Sequence, residues 1–275
     1  MTPGLYLVAT PIGNLRDITL RALDVLGAAD LVLCEDTRVT AKLLTAYGLK
    51  KPLLRCDEHT EEQVRPRVLE ALAAGQVVAL VSDAGTPMVS DPGYRLVGAV
   101  IDAGAAIHPI PGPSSALAAL TLAGLPSDRF LFAGFLPAKA QARRAALEAL
   151  KAVRATLILF ETGPRLRASL EDMAQVLGPR PAAVARELTK LYEECVRGTL
   201  AELAADPRLE SPRGEIVVLV GAGEEAVASE ADADRALVEA LGRLGPADAA
   251  SEVAHALGLP RKALYRRALE LQGRA

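Results

Sequence analysis

Three loops rich in glycine and proline are the parts of this sequence best suited to hold a small ligand. The longest covers residues 82–93, directly after an apolar run, and it contains Asp83, Gly85, Thr86, Met88 and Ser90. Glycine permits close approach of the backbone and proline stiffens the segments between, so such a loop can present amide and carbonyl groups to a ligand. An ordinary connection between a strand and a helix is the alternative reading of this composition.

Two further loops have the same character and also follow apolar runs. Residues 10–14 include Pro11 and Gly13, and residues 111–115 end in Ser114 and Ser115. The two serines stand at the start of a predicted helix, where hydroxyls cap and free backbone N–H groups can receive a carboxylate. Because ligands of open α/β sheets bind beyond the carboxyl ends of the strands, we predict that the three loops share one site.

Two charged clusters carry groups that could move a proton or stabilise a developing charge. Glu35, Asp36 and Arg38 follow one predicted strand, and Arg186, Glu187 and Lys190 follow another. Helix capping would explain Asp36, and a local ion pair would explain its neighbours, so a structural role stays open for the first cluster. The loop residue His59 has no second histidine nearby, and the three cysteines are widely separated, so the sequence predicts no metal site.

The order of apolar runs predicts an α/β fold, with parallel pairing in the first β-α-β unit and at the buried run 77–81. Strands are expected at residues 5–9, 31–34, 51–55, 77–81 and 106–110, with helices between them, and then at 156–160, 182–185 and 215–220. We interpret residues 124–134 as a connector and the acidic residues 224–230 as a linker to terminal helices. We therefore predict three domains: an N-terminal α/β domain at residues 1–125, a second α/β domain at 126–225 and a small helical domain at 226–275.

Charge and composition limit the classes of partner. The 275 residues have a net charge of −3, yet residues 139–190 contain 10 Lys and Arg against 5 Asp and Glu. This basic segment could follow phosphates or could be a solvated helix face. No membrane span or signal peptide is evident, and the few cysteines fit a reducing cytoplasm, so we expect a soluble intracellular protein.

The last predicted helices resemble a helix-turn-helix in outline. A helix over residues 246–257, a turn at Gly258 and a second helix to residue 271 carry basic side chains, namely Arg261, Lys262, Arg266 and Arg267. Packing or capping is one role for these side chains, and contact with nucleic acid is the other.

Six ordered motifs carry a resemblance to a known family. They are TPIGNLRDITLRAL, CEDTR, LVSDAGTPMVSDPGY, PGPSSALAAL, GLPSDRFLFAGFLPAK and RELTKLYEE. The chain resembles the tetrapyrrole methylase superfamily over residues 4–222, and within it the bacterial 2′-O-ribose methyltransferases of small-subunit ribosomal RNA. The terminal helices are less strongly similar to the accessory domain of those enzymes.

The resemblance implies two α/β domains of the tetrapyrrole methylase type, a cleft between them for S-adenosylmethionine, and a small C-terminal helical domain. The implied substrate is a cytidine in the decoding region of 16S RNA, in the small ribosomal subunit or as free RNA, and the implied assembly is a homodimer. The implied cofactor contacts are Pro11, Gly13, Gly85, Thr86, Met88, Ser90, Ser114, Ser115, Glu161 and the backbone of Leu188, with Asp83 as a further candidate.

One position departs from the family pattern, because Pro164 precedes Arg165 where the family commonly has histidine. A role that needs histidine at that point is therefore in doubt, while Arg165 remains available. The catalytic candidates are the two charged clusters, and no residue pattern selects the base among them. The rival functions are methylation of a small tetrapyrrole and non-catalytic binding of ribosomal RNA during subunit assembly. The charged clusters and the basic segment favour RNA.

Overall fold

The computed structural model describes residues 1–223 and 230–273. Residues 1–223 form one compact unit and residues 224–275 belong to a second. The predicted linker lies outside the described residues except for its last residue, which begins a helix. The predicted boundary between residues 125 and 126 falls in the segment between the two sheets of the first unit.

The first sheet of the 1–223 unit contains five parallel strands. In chain order they are β1 Gly4–Val8, β2 Leu31–Cys34, β3 Leu53–Arg55, β4 Val77–Val81 and β5 Ile107–Ile110. Their spatial order is β3-β2-β4-β1-β5, so β4 lies in the middle, between β2 and β1. Every residue of β4 is buried, which explains why its sequence is apolar without alternation.

Five helices connect and cover these strands. They are α1 Leu20–Ala28, α2 Thr37–Ala46, α3 Glu61–Ala73, α4 Tyr94–Asp102 and α5 Ser115–Ala123. The predicted alternation of strands and helices in this half is confirmed, with shifts at the ends. For example, α1 continues through Gly27, where its end was expected, because Gly27 keeps a helical conformation.

The second sheet is mixed. Its strands are β6 Phe130–Phe135, β7 Thr156–Thr162, β8 Pro181–Arg186, β9 Glu194–Thr199 and β10 Glu215–Val220, in the spatial order β6-β7-β10-β8-β9. β10 runs antiparallel to β7 and to β8, and β6 runs parallel to β7. The accompanying helices are α6 Ala140–Leu150, α7 Gly163–Leu177 and α8 Leu200–Ala205. The predicted α/β fold class is confirmed.

Both edge strands of the second sheet correct the sequence analysis. The interpretation of residues 124–134 as a connector is wrong, because β6 begins at Phe130 and pairs with β7. Its residues are only partly buried and the register shifts at Gly134, which has a φ of 65°. The other edge strand, β9, is polar and was not predicted. Edge strands have one neighbour, so their sequences need no continuous apolar pattern.

The basic segment also needs correction at Arg143. This side chain is only 5% exposed and forms an ion pair with Asp172 at 2.7 Å. Its guanidinium also donates to the carbonyl oxygen of Ala138. Because Arg143 ties α6 to α7 inside the fold, it is unavailable to phosphates.

The turn from β7 into α7 explains the unusual Pro164. Proline occupies the first turn of α7, where a backbone N–H has no partner within the helix, so it fits without loss of a hydrogen bond. The preceding residue, Gly163, packs so tightly that a Cβ there would lie 1.7 Å from the carbonyl oxygen of Pro212. The sequence of this turn is therefore set by packing at Gly163 and by helix geometry at Pro164.

The second unit contains three helices among its described residues, α9 Glu230–Leu241, α10 Pro246–Leu257 and α11 Arg261–Gln272. They enclose a small core of their own that includes Leu237, Val253 and Leu264. Arg267 forms an ion pair with Asp234 at 2.6 Å and another with Glu270 at 2.9 Å, which supports a packing role for this one of the four basic residues. Within residues 1–223 and 230–273, no helix combines the length and apolarity needed to cross a bilayer.

Candidate active site

A cavity of about 320 Å³ lies where the loops after the first sheet meet the second sheet. Seven of the predicted cofactor-binding residues line it, from the central loop, the third loop and the second sheet: Asp83, Gly85, Thr86, Ser90, Ser114, Ser115 and Glu161. The loops selected from the sequence therefore line this cavity, which we call the main cavity.

Backbone hydrogen bonds join the loops to one another. Thr10 and Gly85 exchange two N–H···O bonds, of 2.9 and 3.0 Å, across an antiparallel bridge. The Thr10 hydroxyl donates to the carbonyl oxygen of Ser82 at 2.9 Å, and the Thr86 hydroxyl donates to that of Pro113 at 3.1 Å. The first and third loops are therefore both fixed to the central loop.

Four residues other than glycine adopt positive φ angles in the described part of the chain, and all lie in loops of the predicted site. They are Met88 at 68°, Ser90 at 65°, Glu187 at 50° and Thr189 at 65°. Such conformations cost on the order of 1–3 kcal/mol each and are concentrated at functional sites in proteins. Their positions support a functional role for the central loop and for the loop after β8.

The third loop combines capping with exposure of helical N–H groups. The Ser114 hydroxyl caps α5 by accepting from the backbone N–H of Leu117 at 3.5 Å. Ser115 is the first residue of α5 and lines the cavity beside Ser114. The start of α5 therefore faces the cavity, where its partial positive charge favours a carboxylate.

Several lining residues were missed by sequence reasoning. Phe135 and Phe160 supply an apolar wall, with ring centroids 5.5 Å apart and an edge-to-face arrangement. Phe135 is the last residue of β6 and was missed because the rest of that strand was interpreted as a connector, although the aromatic residues of FLFAGF were a signal for a strand. The lining also includes Gly214 and Ile216 of the β10 region, next to β7 in the sheet, whose apolar sequence indicated only a buried strand.

Glu161 is held firmly in place. Its side chain is almost fully buried, accepts from the backbone N–H of Thr162 at 2.8 Å and from the hydroxyl of Ser169, and pairs with Arg165 at 3.2 Å. Arg165 in turn donates to the carbonyl oxygen of Leu136. Arg165 therefore has a structural role here, and both oxygens of Glu161 are already engaged.

Three carboxyl groups near the cavity have raised pKa values. Burial is the main cause for each, and it raises the pKa of Asp83, of Asp91 and of Glu35. Negative charge on Asp83 raises the pKa of the other two further. The Oδ1 atom of Asp83 accepts from the backbone N–H of Asp36 at 3.0 Å, which opposes the rise in its pKa. The site is thus rich in carboxyl groups that would be stabilised by a nearby positive charge.

We expect Asp91→Asn to stabilise the fold at neutral pH. Asp91 lines the cavity, and its buried Oδ2 atom has no hydrogen-bond partner. Since its folded pKa is raised, stability is lost as pH rises from the unfolded pKa through the folded pKa, because the charged form is disfavoured by burial. Urea unfolding at pH 4 and pH 7.5 should show a gain for the variant mainly at the higher pH. An equal change at both pH values would contradict this assignment.

In the first charged cluster, Asp36 and Arg38 form a bidentate pair, with the shortest N–O distance 2.6 Å. Asp36 also caps α2, and these bonds hold its pKa well below the usual range. Glu35 differs from both, because it forms no ion pair within residues 1–223 and 230–273. Helix capping and ion pairing therefore explain the presence of Asp36 but not that of Glu35.

The second charged cluster is also paired. Arg186 contacts Glu194 at 3.0 Å, and Lys190 contacts Glu187 at 2.9 Å and Glu215 at 3.0 Å. Glu215 lines the cavity and contacts both residues, since its carboxylate accepts from Lys190 and its backbone N–H donates to Glu187. The structure places this cluster around the cavity without showing any of its three predicted residues in the lining.

The remaining predicted cofactor contacts lie elsewhere. Pro11 and Gly13 line a neighbouring cavity, and a Cβ on Gly13 would lie 2.5 Å from Cγ of Lys190 and 3.0 Å from the carbonyl oxygen of Leu188. Leu188 itself is buried in an apolar cluster with Ile12, and Met88 packs near Gly93. Gly13 thus joins the first loop to the loop after β8, which explains the need for glycine there.

Comparison with known proteins gives the family. Residues 4–204 match the model for Tetrapyrrole (Corrin/Porphyrin) Methylases, and residues 227–272 match that for the RsmI C-terminal HTH domain. The chain is 56% identical to "Ribosomal RNA small subunit methyltransferase I" of Mesorhizobium japonicum, over 99% of this chain and 93% of that protein. The chain belongs to the tetrapyrrole methylase family. The resemblance inferred from the ordered motifs is confirmed.

Other tetrapyrrole methylases agree in sequence or fold. The Escherichia coli O157:H7 protein named "Ribosomal RNA small subunit methyltransferase I" is 47% identical over 98% of this chain and 96% of its own. The crystal structure of uroporphyrin-III C-methyltransferase from Thermus thermophilus, complexed with S-adenosylhomocysteine, matches with a TM-score of 0.53. It is 23% identical and covers 78% of this chain and 96% of the other, which shows the shared tetrapyrrole methylase fold.

Proposed function

We propose that this protein transfers a methyl group from S-adenosylmethionine to the ribose 2′-hydroxyl of a cytidine in the decoding region of 16S ribosomal RNA. The observation that carries this proposal is a loop-lined cavity in a tetrapyrrole methylase whose relatives are named for the small-subunit RNA. The Thermus enzyme of the same fold, complexed with S-adenosylhomocysteine, supports the choice of cofactor.

The lining of the main cavity fits that cofactor. Its volume of about 320 Å³ lies within the usual range for small-molecule sites. Phe135 and Phe160 offer an apolar surface for the adenine ring, and the start of α5 at Ser115 suits the carboxylate. Asp83 and Asp91 would face a molecule with two positive centres, and their ionisation would become more favourable beside it.

The cofactor supplies an electrophilic methyl group, and the protein's residues must align and activate the hydroxyl. Hydrogen bonds of Thr10, Gly85 and Thr86 fix the loops, and fixed loops would help to align the two reactants and to exclude water. The hydroxyl must lose its proton as the new C–O bond forms. Asp83 is a suitable acceptor for that proton because burial raises its pKa towards the working range of a general base.

A direct assay separates this function from its rivals. Labelled methyl groups from S-adenosylmethionine should appear in small ribosomal subunits that lack the modification, and nuclease digestion should place them on a 2′-O-methylcytidine. Naked 16S RNA and uroporphyrinogen serve as the alternative acceptors. Transfer to uroporphyrinogen alone would make the protein a small-molecule methylase, and binding to subunits without any transfer would make it an assembly factor.

We further infer that the partner is the small subunit or its 16S RNA and that the protein acts in the cytoplasm as a homodimer. The identity to relatives named for this RNA supports the first inference. The edge strand β6, which leaves Phe130 46% exposed and Leu131 36% exposed, is consistent with contact to a second copy. Light scattering on the purified protein measures the assembly directly.

A further inference from the structure

A second cavity, of about 300 Å³, adjoins the main one but is not part of it. It lies between the first loop and helix α2, and its lining includes Pro11, Leu15 and Val39. Asp83 lines both cavities. A molecule in the second cavity would therefore contact the same carboxyl group as a molecule in the first.

Two apolar side chains that line this cavity are also partly exposed to solvent. Leu15 is 48% exposed on the short turn after the first loop, and Val39 is 39% exposed in the first turn of α2. The hydroxyl of Tyr47 donates to the carbonyl oxygen of Leu15, which holds this turn against α2. Two apolar surfaces held on either side of an opening suit a flat, partly apolar group such as a nucleobase.

The lining of the cavity is mainly apolar but includes the buried polar side chain of Thr40. Thr40 is only 2% exposed, and its hydroxyl makes no hydrogen bond to nitrogen or oxygen in the described part of the chain. The thiol of Cys34 lies beside it but is a weak partner. A buried hydroxyl without a strong hydrogen-bond partner lowers the stability of the fold. A ligand group that forms a hydrogen bond with it would remove this free-energy cost.

A positive charge stands at the rim. Lys42 is exposed, lines the cavity and forms no ion pair with any residue in the ranges 1–223 and 230–273. It lies one turn of α2 beyond Val39, on the same side of the helix. A free ammonium group next to an apolar opening suits a phosphate that flanks the inserted group.

We propose that the second cavity binds the acceptor nucleoside of the RNA, with its base between Leu15 and Val39, its polar edge towards Thr40 and an adjoining phosphate at Lys42. Asp83 then lies between the acceptor and the methyl donor. This inference rests on the proposed function and deepens it, because it separates the site of the substrate from the site of the cofactor. It also explains why Pro11 and Gly13 line a different cavity from the other predicted cofactor contacts.

The test fills the cavity without touching the main one. Val39→Trp should lower the single-turnover rate of methyl transfer to unmodified small subunits by roughly tenfold or more, because the indole would occupy the space for the base. The dissociation constant for S-adenosylhomocysteine, measured by calorimetry, should stay within twofold. Ala41→Trp is the matched control on the same exposed part of α2, and it should leave both quantities unchanged.

A second variant and a binding measurement test the nucleoside site independently of Val39→Trp activity. Thr40→Val keeps the shape of the side chain, removes the hydroxyl and should slow transfer while the protein unfolds at an unchanged or higher urea concentration. The dinucleotide CpC, followed by NMR, should bind the wild type and not Val39→Trp. Full transfer by Val39→Trp, or loss of S-adenosylhomocysteine binding by it, would overturn the assignment.

Failure of the proposed function would look different. If the wild type transfers no methyl group to any RNA, the proposed function is wrong. Binding of CpC then tests by itself whether the second cavity is a nucleoside site. Binding of CpC that is lost in Val39→Trp would then still support a nucleoside site. Absence of CpC binding to the wild type would refute it.

Discussion

Gly163→Ala should destabilise the 1–223 unit by about 3 kcal/mol, the upper end of the usual cost of overpacking a core. An alanine Cβ would lie 1.7 Å from the carbonyl oxygen of Pro212, and both atoms belong to backbone that has no flexible end to move aside. Because Gly163 begins α7, the shift would also disturb the neighbouring ion pair between Glu161 and Arg165. Urea unfolding followed by circular dichroism measures the loss.

Gly98→Ala is the matched control for this change. Gly98 lies inside α4, has no neighbouring atom within 4 Å of an added Cβ, and keeps an ordinary helical φ. Alanine there should raise the free energy of unfolding by about 0.5–1 kcal/mol, because glycine in a helix loses more backbone entropy on folding. Similar midpoints for the two variants would show that the packing around Gly163 is looser than the structure indicates.

Asp83→Asn should reduce the single-turnover rate of methyl transfer by about 100-fold, the lower limit for loss of a general base. Asparagine keeps the size of the side chain and can still accept from the N–H of Asp36, so the loops should stay in place. The main cause of the raised pKa of Asp83 is burial, followed by the opposing hydrogen bond from Asp36 and by the charge of Asp36. The wild-type rate should therefore rise with pH as Asp83 ionises and then level off, with a midpoint below the pKa of Asp83 in the free protein because the positive charge of the cofactor favours the ionised carboxylate.

The comparison variant for this prediction is Glu35→Gln. Glu35 also has a raised pKa and lacks an ion pair in the described ranges, but it lines neither cavity. We expect its replacement to shift the pH profile slightly, by removing a neighbouring negative charge, while most of the maximal rate remains. A loss of rate in Glu35→Gln with normal transfer by Asp83→Asn would assign the base to Glu35 instead.

The sequence predicted the loops that line the main cavity because the conformation of these loops depends on local residue types. Glycine and proline in residues 82–93 restrict the backbone whatever the rest of the chain does, and Gly85 indeed has a φ of 87°. The buried strand β4 was equally clear, since each of its residues must be apolar in the centre of a parallel sheet. These features depend little on distant partners.

The sequence could not predict features that depend on distant partners. The antiparallel placement of β10 between β7 and β8 brings Gly214 and Ile216 to the cavity, and no local pattern encodes that pairing. The pairing of Lys190 with Glu215 likewise joins residues 25 positions apart. The second cavity was missed for the same reason, because the first loop and α2 meet only in the folded chain.

The bridge between Thr10 and Gly85 has a consequence for the thermodynamics of ligand entry. Together with the strained backbone at Met88 and Ser90, it leads us to expect that the central loop keeps its shape when a ligand binds. The loop loses its conformational freedom when the protein folds. Ligand binding should therefore cost little additional conformational entropy in this loop. We therefore expect the heat-capacity change on cofactor binding to reflect buried apolar surface alone, without a contribution from coupled folding.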